Sequence, residues 1–274
     1  MGLGLDSAWK KLLLHPYSRM HFVQLYDSQP SSLAANVGLY ISDGLRRGDG
    51  VLVACTMEHR LSFSDYVDAP HAPEQLIWID AHKALAQVMK NGHPDWAAFE
   101  RVVEGALERV RPSNSSGITR VYGELVGVLW SNREYAAAVR LEQYWNRLIA
   151  LRPLCLYCGY AMDVFDSAGH NPFLEKMLCT HSHLVPTEND GALQTALWQG
   201  IEDVLGDKSH EIRNFDMGKR DASWVMVPEV ERTMLWLINN VPHALQSIAR
   251  SARDRYERLV ARSAGGNAVA RHGQ

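Results

Sequence analysis

The sequence has little that marks a disulfide-bonded or membrane-spanning protein. Its 274 residues include only four cysteines. Four thiols in a chain of this length are too few for a disulfide scaffold, so we expect them to be reduced. No apolar run approaches the ~18 residues that cross a bilayer. We therefore expect a cytoplasmic location and no membrane partner.

A strong excess of positive charge is also missing. The chain carries 28 Lys and Arg against 31 Asp and Glu, for a formal net charge of −3. Domains that bind nucleic acids normally present a clustered basic face and have a far higher pI. An arginine-rich stretch near the C-terminus is interleaved with Asp254 and Glu257. We expect no nucleic-acid partner.

A third missing feature is the glycine-rich loop that binds phosphates. The apolar run at 51–55 predicts a central strand, but the segment that follows it, 56–60, has no glycine and no Lys-Ser/Thr pair. The glycines at 44–48 have the wrong spacing and precede the strand. Phosphate-binding loops need those residues directly after a strand. An ATPase that uses this loop is therefore excluded.

What the sequence does contain is an alternation of short apolar runs and helical patterns. The candidate strands are 21–26, 51–55, 76–80, 118–125 and 154–160. Helical spacing between them includes a helix headed by Pro94, a helix over 135–151 and another over 172–183. This alternation predicts an α/β sandwich with a mostly parallel sheet. Ligand-binding groups in such folds collect at the carboxyl ends of strands.

Strand patterns end near Pro186. Residues 193–205 and 230–259 have helical spacing, and Pro242 should kink or restart the second helix. Its apolar stripe needs to pack on the preceding domain or on another subunit, which makes a homodimer one candidate assembly. We expect a domain at 15–188, a C-terminal helical region at 189–262 for output, dimerisation or docking, and a flexible tail at 263–274.

Several segments occur in an order and spacing that resembles the MEDS family, named for methanogen and methylotroph proteins and the sensory region of DcmR. The segments are 21–26, 44–48, 51–60, 122–126 with Trp130, 141–146, 157–160 and 181–183. The resemblance covers residues 15–188. It implies a three-layer sandwich related to the RecA/KaiC ATPase fold but without its phosphate-binding loop.

The resemblance also implies a function. MEDS proteins are sensory modules, so it implies a non-enzymatic signal-transduction protein that binds a small-molecule effector. Family members are often fused to histidine kinases or DNA-binding regions. A histidine kinase or regulator of a two-component system is therefore the implied partner.

The carboxyl edge of the predicted sheet is the expected effector site. Thr56, Asp80 and Glu124 lie at or near strand ends, and aromatic side chains would form apolar walls. In the alternative interpretation, Glu124 and Arg60 form a structural ion pair and the tryptophans fill the core. The candidate site residues are His21, Tyr26, Thr56, His59, Arg60, Asp80, Glu124, Trp130, Trp145 and Tyr160.

Cysteine and histidine spacing raises the alternative of a zinc site. Cys155 and Cys158 form a C-x-x-C motif, and Cys179, His181 and His183 follow. On a strand, residues 155 and 158 point to opposite faces. On the predicted helix, residues 179 and 183 share a face that residue 181 does not. We therefore predict no metal, no cofactor and packing roles for the cysteines.

The segment 209–214 resembles the phosphoacceptor box of histidine kinases. That chemistry needs an exposed imidazole at His210 with an adjacent acid. Phe215 stands where those kinases have proline, and the chain has no ATP-binding kinase motifs. His210 is thus an acceptor for another protein or a solvated histidine.

Two alternatives to a sensor stay open: a cryptic nucleotide-binding enzyme that uses Glu124, and a scaffold or phosphotransfer partner of a histidine kinase system.

Overall fold

The structure is a computed structural model that describes residues 13–26, 31–115, 117–162, 173–185, 190–214 and 229–270. These residues fall into two compact units, one up to residue 185 and the other from residue 190. The expected domain break at 186–189 lies outside the described residues, and the expected boundaries stay predictions. No helix in the described ranges is long and apolar enough to cross a membrane.

The first unit is built on a six-stranded sheet in which every neighbouring pair is parallel. Its strands are β1 His21–Tyr26, β2 Gly50–Cys55, β3 Leu76–Asp80, β6 Thr119–Gly123, β7 Leu154–Ala161 and β8 His183–Val185, in the order β3-β2-β6-β7-β1-β8. All residues of β1 and β2 are buried. Helices therefore cover both faces, as apolar parallel strands require.

The helices of this unit lie on both faces of the sheet. They are α1 Ser31–Arg47, α2 Met57–Ser64, α3 Ala81–Val88, α4 Trp96–Leu107, α5 Leu125–Ser131, α6 Tyr135–Leu151 and α7 Phe173–Leu178. Tyr40 of α1 donates a hydrogen bond to the Cys155 carbonyl, whereas Trp145 of α6 packs on Gly123 from the other face. This arrangement confirms the expected α/β three-layer sandwich. The relation to the RecA/KaiC fold stays a prediction.

Two polar residues end a strand and cap the next helix. The Thr56 hydroxyl accepts a hydrogen bond from the His59 backbone N–H, and the Asp80 carboxylate accepts one from the Lys83 N–H. Such caps satisfy backbone donors that a helix start leaves unpaired. The side chains at the carboxyl edge of β2 and β3 are thus fixed by local hydrogen bonds.

Two predicted helices have different bounds in the structure. Pro94 does not head a helix: it lies in β5, His93–Pro94, which pairs antiparallel with β4, Met89–Lys90. Asp95 then caps α4. The helix predicted over 172–183 is only α7, because His183–Val185 forms the edge strand β8. A strand of three residues is too short to show an alternating pattern.

The second unit is helical in its described residues. It contains α8 Asp190–Leu205, a 3₁₀ turn Gly206–Lys208, α9 Ser209–Asn214, α10 Glu229–Asn240 and α11 Pro242–Ala270. Pro242 restarts the helix, as the sequence predicts. The apolar stripe packs within this unit, where Leu237 and Ile248 are buried in one core with Ile201. Its burial therefore needs no second copy of the chain.

The expected flexible tail at 263–274 stays a prediction. The helix continues to Ala270, and residues 271–274 lie outside the described part of the chain.

Candidate functional site

Glu124 lies at the carboxyl edge of the sheet, where three neighbouring groups form hydrogen bonds with it. Its carboxylate, which is buried, accepts three hydrogen bonds. The Thr56 backbone N–H donates to Oε2 at 2.9 Å, and the Tyr122 hydroxyl donates to Oε1 at 2.8 Å. The His59 Nδ1 lies 2.5 Å from the same Oε1. The pairing of β2 with β6, which aligns Ala54 with Gly123, brings these groups together.

The backbone N–H of Thr56, at the start of α2, is bonded to Glu124 and is not free to bind a phosphate. Backbone N–H groups at the start of a helix that follows a β-strand form an anion site, and phosphate-binding proteins use them for phosphate. At the start of α2, the Thr56 N–H is already bonded to the Glu124 carboxylate. The chain therefore places its own carboxylate at the start of this helix.

The surroundings of Glu124 favour the protonated forms of the neighbouring side chains, which can then donate hydrogen bonds. Burial lowers the pKa of His59, but the hydrogen bond with Glu124 and the nearby negative charges outweigh it, so the pKa is raised. Burial, with the Glu124 charge, also raises the pKa of Tyr26 and of Tyr122. Burial likewise raises the pKa of Cys55, so its thiol is not a ready nucleophile. These groups suit binding better than covalent chemistry.

A cavity of about 190 Å³ lies beside the Glu124 carboxylate. Its walls combine apolar atoms with a few polar groups, which is the usual composition of a small-molecule site. His82, Ser131 and Asn132 belong to it and were not among the residues expected from the sequence. The lining residues are Tyr26, Thr56, His82, Glu124, Gly127, Val128, Ser131 and Asn132.

Among the residues that line the cavity, Gly127 lies where no larger side chain fits. A Cβ added there would lie 2.4 Å from the Gly159 carbonyl oxygen, which is closer than atoms pack. The glycine thus allows α5 to approach β7 closely. That approach sets the position of the cavity wall next to Glu124.

Two other expected residues lie nearby but have different contacts. The Arg60 guanidinium lies 5.6 Å from the centre of the Trp78 ring and forms a cation–π contact. The alternative ion pair between Arg60 and Glu124 is not what the structure shows, since Glu124 is paired with His59. Asp80 caps α3 and lines a separate cavity of about 730 Å³ between α3 and α4.

The aromatic residues expected to line the effector site are core residues instead. Trp130 packs edge-on against Tyr160, with ring centres 5.6 Å apart, and Trp145 packs edge-on against Phe99 at 5.0 Å. Trp130, Trp145 and Tyr160 are all at most 3% exposed, and none of them lines the cavity beside Glu124. For these three side chains the structure therefore favours the core-packing interpretation.

Residues 20–182, more than half of the chain, match the family model MEDS, described as the methanogen/methylotroph, DcmR sensory domain. The chain belongs to the MEDS family. A search of curated proteins gave no match. Membership of a family of sensory domains indicates a sensory role for this protein.

The MEDS domain contains a second buried carboxylate, Glu142 on α6. Its Oε2 lies 3.3 Å from His21 Nε2, and its Oε1 lies 3.2 Å from His181 Nε2. Tyr160 donates a hydrogen bond to Oε1 at 2.5 Å, and Cys158 Sγ lies 3.4 Å from His21 Nε2. The sequence predicts that His21 and Tyr160 lie at the Glu124 site. In the structure they belong to the Glu142 cluster instead.

A sequence signal for Glu142 existed. It lies on the buried face of α6, between Leu141 and Trp145, where an acidic residue has no place unless it is paired. His21 was misplaced for a simple reason. It begins β1, at the amino end of the strand, while Tyr26 ends that strand at the carboxyl edge.

The cysteines of the MEDS domain follow the strand alternation. Cys155 lies on the face covered by α1, and Cys158 lies beside Glu142 on the other face. Burial raises the pKa of Cys155 to about 12. Cys179 is exposed. The five residues weighed for a zinc site thus do not share one centre, although Cys158 and His181 both reach the Glu142 cluster.

His210 lies in the second unit on the six-residue helix α9 and is exposed. Exposure is what a phosphoacceptor imidazole requires, but it is also usual for a solvated histidine. Phe215, where histidine kinases have proline, lies outside the described residues. A phosphoacceptor role for His210 stays a prediction.

Proposed function

We propose that the MEDS domain is a non-enzymatic sensor that binds a small effector in the cavity beside Glu124. The observation that carries this proposal is a buried carboxylate, held by three donors, at the wall of a cavity of about 190 Å³. A protein cavity of ~150 Å³ accommodates benzene. An effector of that size or slightly larger therefore fits.

The hydrogen bonds of Glu124 define the chemistry of this effector. Each carboxylate oxygen offers two acceptor positions. Oε1 accepts from Tyr122 and pairs with His59, whereas the one hydrogen bond that Oε2 accepts from the described residues is that of the Thr56 N–H. Oε2 thus has an acceptor position left, so the effector carries a donor such as a hydroxyl or ammonium group. Gly127 and Val128 suit a small apolar remainder.

Binding changes output only if the effector prefers one of two arrangements of the protein. Glu124 joins the end of β6 to the start of α2 through Thr56 and His59. An effector donor that shares Oε2 with the Thr56 N–H would weaken the link through Thr56. We assign the output role to the C-terminal helices, with a histidine kinase, a regulator or a second copy of the chain as the partner in the cytoplasm.

A thermal-shift screen of small hydroxylated and amine compounds tests effector binding. We expect a compound that raises the unfolding temperature saturably. Its affinity should fall at least about tenfold in Glu124→Gln, because one charge-assisted hydrogen bond is worth ~1.5–3 kcal/mol. Glu108→Gln is the matched control, since Glu108 is exposed on the same domain. Equal affinity in both variants would place binding elsewhere.

The same protein distinguishes the enzyme alternative. Because the Thr56 N–H is bonded to Glu124, we expect no ATP binding that depends on magnesium. Isothermal titration with ATP, with and without magnesium, measures this directly. Tight, magnesium-dependent binding would support a cryptic nucleotide enzyme and contradict the sensor proposal.

A further inference from the structure

Four side chains of the Glu142 cluster direct ligand atoms at one point. His21 Nε2, a Glu142 oxygen, Cys158 Sγ and His181 Nε2 all lie within 4.8 Å of one another. They come from β1, α6, β7 and the segment after α7. The side chains of His21 and His181 are at most 4% exposed, and those of Glu142 and Cys158 are buried.

Hydrogen bonds fix which nitrogen of each imidazole carries its proton. His21 Nδ1 lies 2.9 Å from Asn146 Oδ1, and the orientation of that amide is set because Asn146 Nδ2 donates to the Thr180 carbonyl. His181 Nδ1 lies 2.9 Å from the Met177 carbonyl oxygen. Both partners only accept, so both Nδ1 atoms donate. In the neutral imidazoles, each Nε2 then presents a lone pair.

The lone pair of His181 Nε2 faces a carboxylate, which is unfavourable without a cation, whereas His21 Nε2 has the Cys158 thiol as a partner. His181 Nε2 lies 3.2 Å from Glu142 Oε1, yet it is buried without a hydrogen-bond partner. A buried group left unpaired in this way costs ~1–3 kcal/mol. A metal ion between the four groups removes that cost.

The distances match a tetrahedral site. Zinc bonds of about 2.0–2.3 Å place neighbouring ligand atoms roughly 3.3–3.8 Å apart. The distances from His21 Nε2 to Glu142 Oε2 and to Cys158 Sγ are 3.3 Å and 3.4 Å. Glu142 Oε2 lies 3.9 Å from Cys158 Sγ, and the other oxygen, Oε1, lies 3.2 Å from His181 Nε2.

We propose that His21, Glu142, Cys158 and His181 bind one zinc ion. The mixture of imidazole, thiolate and carboxylate suits this metal, and Asn146 and Met177 orient the imidazoles by accepting from their Nδ1 atoms, as carbonyl oxygens do for the histidine ligands of zinc proteins. Four protein ligands leave no open position, so the site is structural. Cys158 loses its proton to solvent on binding. This inference does not depend on the effector site at Glu124.

Metal content and cobalt spectra test the site. The full chain, purified without chelator and desalted after incubation with zinc, should retain about one zinc per chain. Cobalt loaded in its place should give a thiolate-to-cobalt charge-transfer band. Cys158→Ser should lose that band, whereas Cys179→Ser, which alters an exposed cysteine, should keep it. Asn146→Ala should weaken zinc binding about 10–100-fold.

Several results would overturn the proposal. One is a wild-type chain that retains no zinc, and another is a cobalt complex without the charge-transfer band. Either is measured on the unaltered protein, so the test stands even where Cys158→Ser does not fold. Equal zinc retention in Cys158→Ser and Cys179→Ser would also overturn it, because the metal would then be bound elsewhere.

Discussion

Two glutamates of the MEDS domain are equally buried but differ in what surrounds them. Glu124, at 2% exposure, accepts hydrogen bonds from Thr56 and Tyr122, and a cavity lies next to it. Glu142, at 0% exposure, faces the Nε2 atoms of His21 and His181. A carboxylate among donors with open space beside it suits an exchangeable ligand. One enclosed by imidazoles and a thiol suits a permanent cation.

The largest expected effect is a loss of folding stability when Glu142 is replaced. Glu142→Gln removes the carboxylate that faces His21 and His181 and that would bind the proposed zinc ion, and removing one partner of a buried charge pair costs about 3–5 kcal/mol. Urea unfolding of wild type and variant measures this loss. Glu108→Gln, at an exposed position, should stay within ~0.5 kcal/mol of wild type. A Glu142→Gln chain as stable as that control would contradict the role given to this cluster.

Glu124→Gln should destabilise less, by about 1–3 kcal/mol. The amide keeps an oxygen that accepts from Tyr122 or from the Thr56 N–H, and the cavity gives the altered group access to water. The same urea experiment provides the comparison. The reverse order, with Glu124→Gln the more damaging change, would mean that the carboxyl-edge site is the structural one.

The two clusters should also respond differently to pH. The raised pKa of His59 means that its bond to Glu124 stabilises the fold fully below the ordinary histidine pKa of ~6.5. That contribution is lost as pH rises through the raised value. The stability difference between wild type and His59→Gln should therefore shrink with rising pH. A difference that grows above pH ~6.5 would contradict this sign.

The pKa of Glu142 shifts in the opposite direction to that of His59, so the pH dependence of its contribution to stability is opposite as well. Its pKa is lowered: burial alone would raise it, but the charges and hydrogen bonds of His181 and His21 outweigh burial. Its contribution is present above the ordinary glutamate pKa of ~4.3 and is lost only as pH falls through the lowered value. Between about pH 6 and 8 the carboxylate of Glu142 should thus add no pH dependence. A loss of its contribution within that range would show that the carboxylate is protonated there.

The smallest expected effect concerns the helix cap at the Glu124 site. Thr56→Ala removes the hydroxyl that accepts the His59 N–H and should cost about 1 kcal/mol. Thr56→Ser keeps the hydroxyl and should cost only a few tenths. Thermal unfolding of the two variants tests this. Equal loss in both would assign the effect to the threonine methyl group instead of the cap.

Long periodic segments made much of the fold predictable. The helix over 135–151 and the strand beginning at residue 154 have the expected starts because each repeats its pattern several times. The three-residue strand β8 was missed because it is shorter than any period. Pro94 was taken for a helix start, although Asp95 is the cap. Local chemistry at element ends decides such details.

The candidate site was predictable where it depended on the ends of adjacent strands. Tyr26, Thr56, His59 and Glu124 lie together because parallel strands end at one edge. The Glu142 cluster was not predictable in this way. His21 and His181 are 160 positions apart in the sequence, and only the pairing of β1 with β7 and β8 brings them beside α6. Sequence spacing carries no signal for such a contact.

Effector binding in the cavity beside Glu124 is tested most directly by a crystal structure of the full chain purified from its native cells. We expect electron density for a small molecule in the cavity, with a donor atom within hydrogen-bond distance of Glu124 Oε2. A well-ordered cavity that contains only water, or one filled by the chain's own side chains, would contradict it.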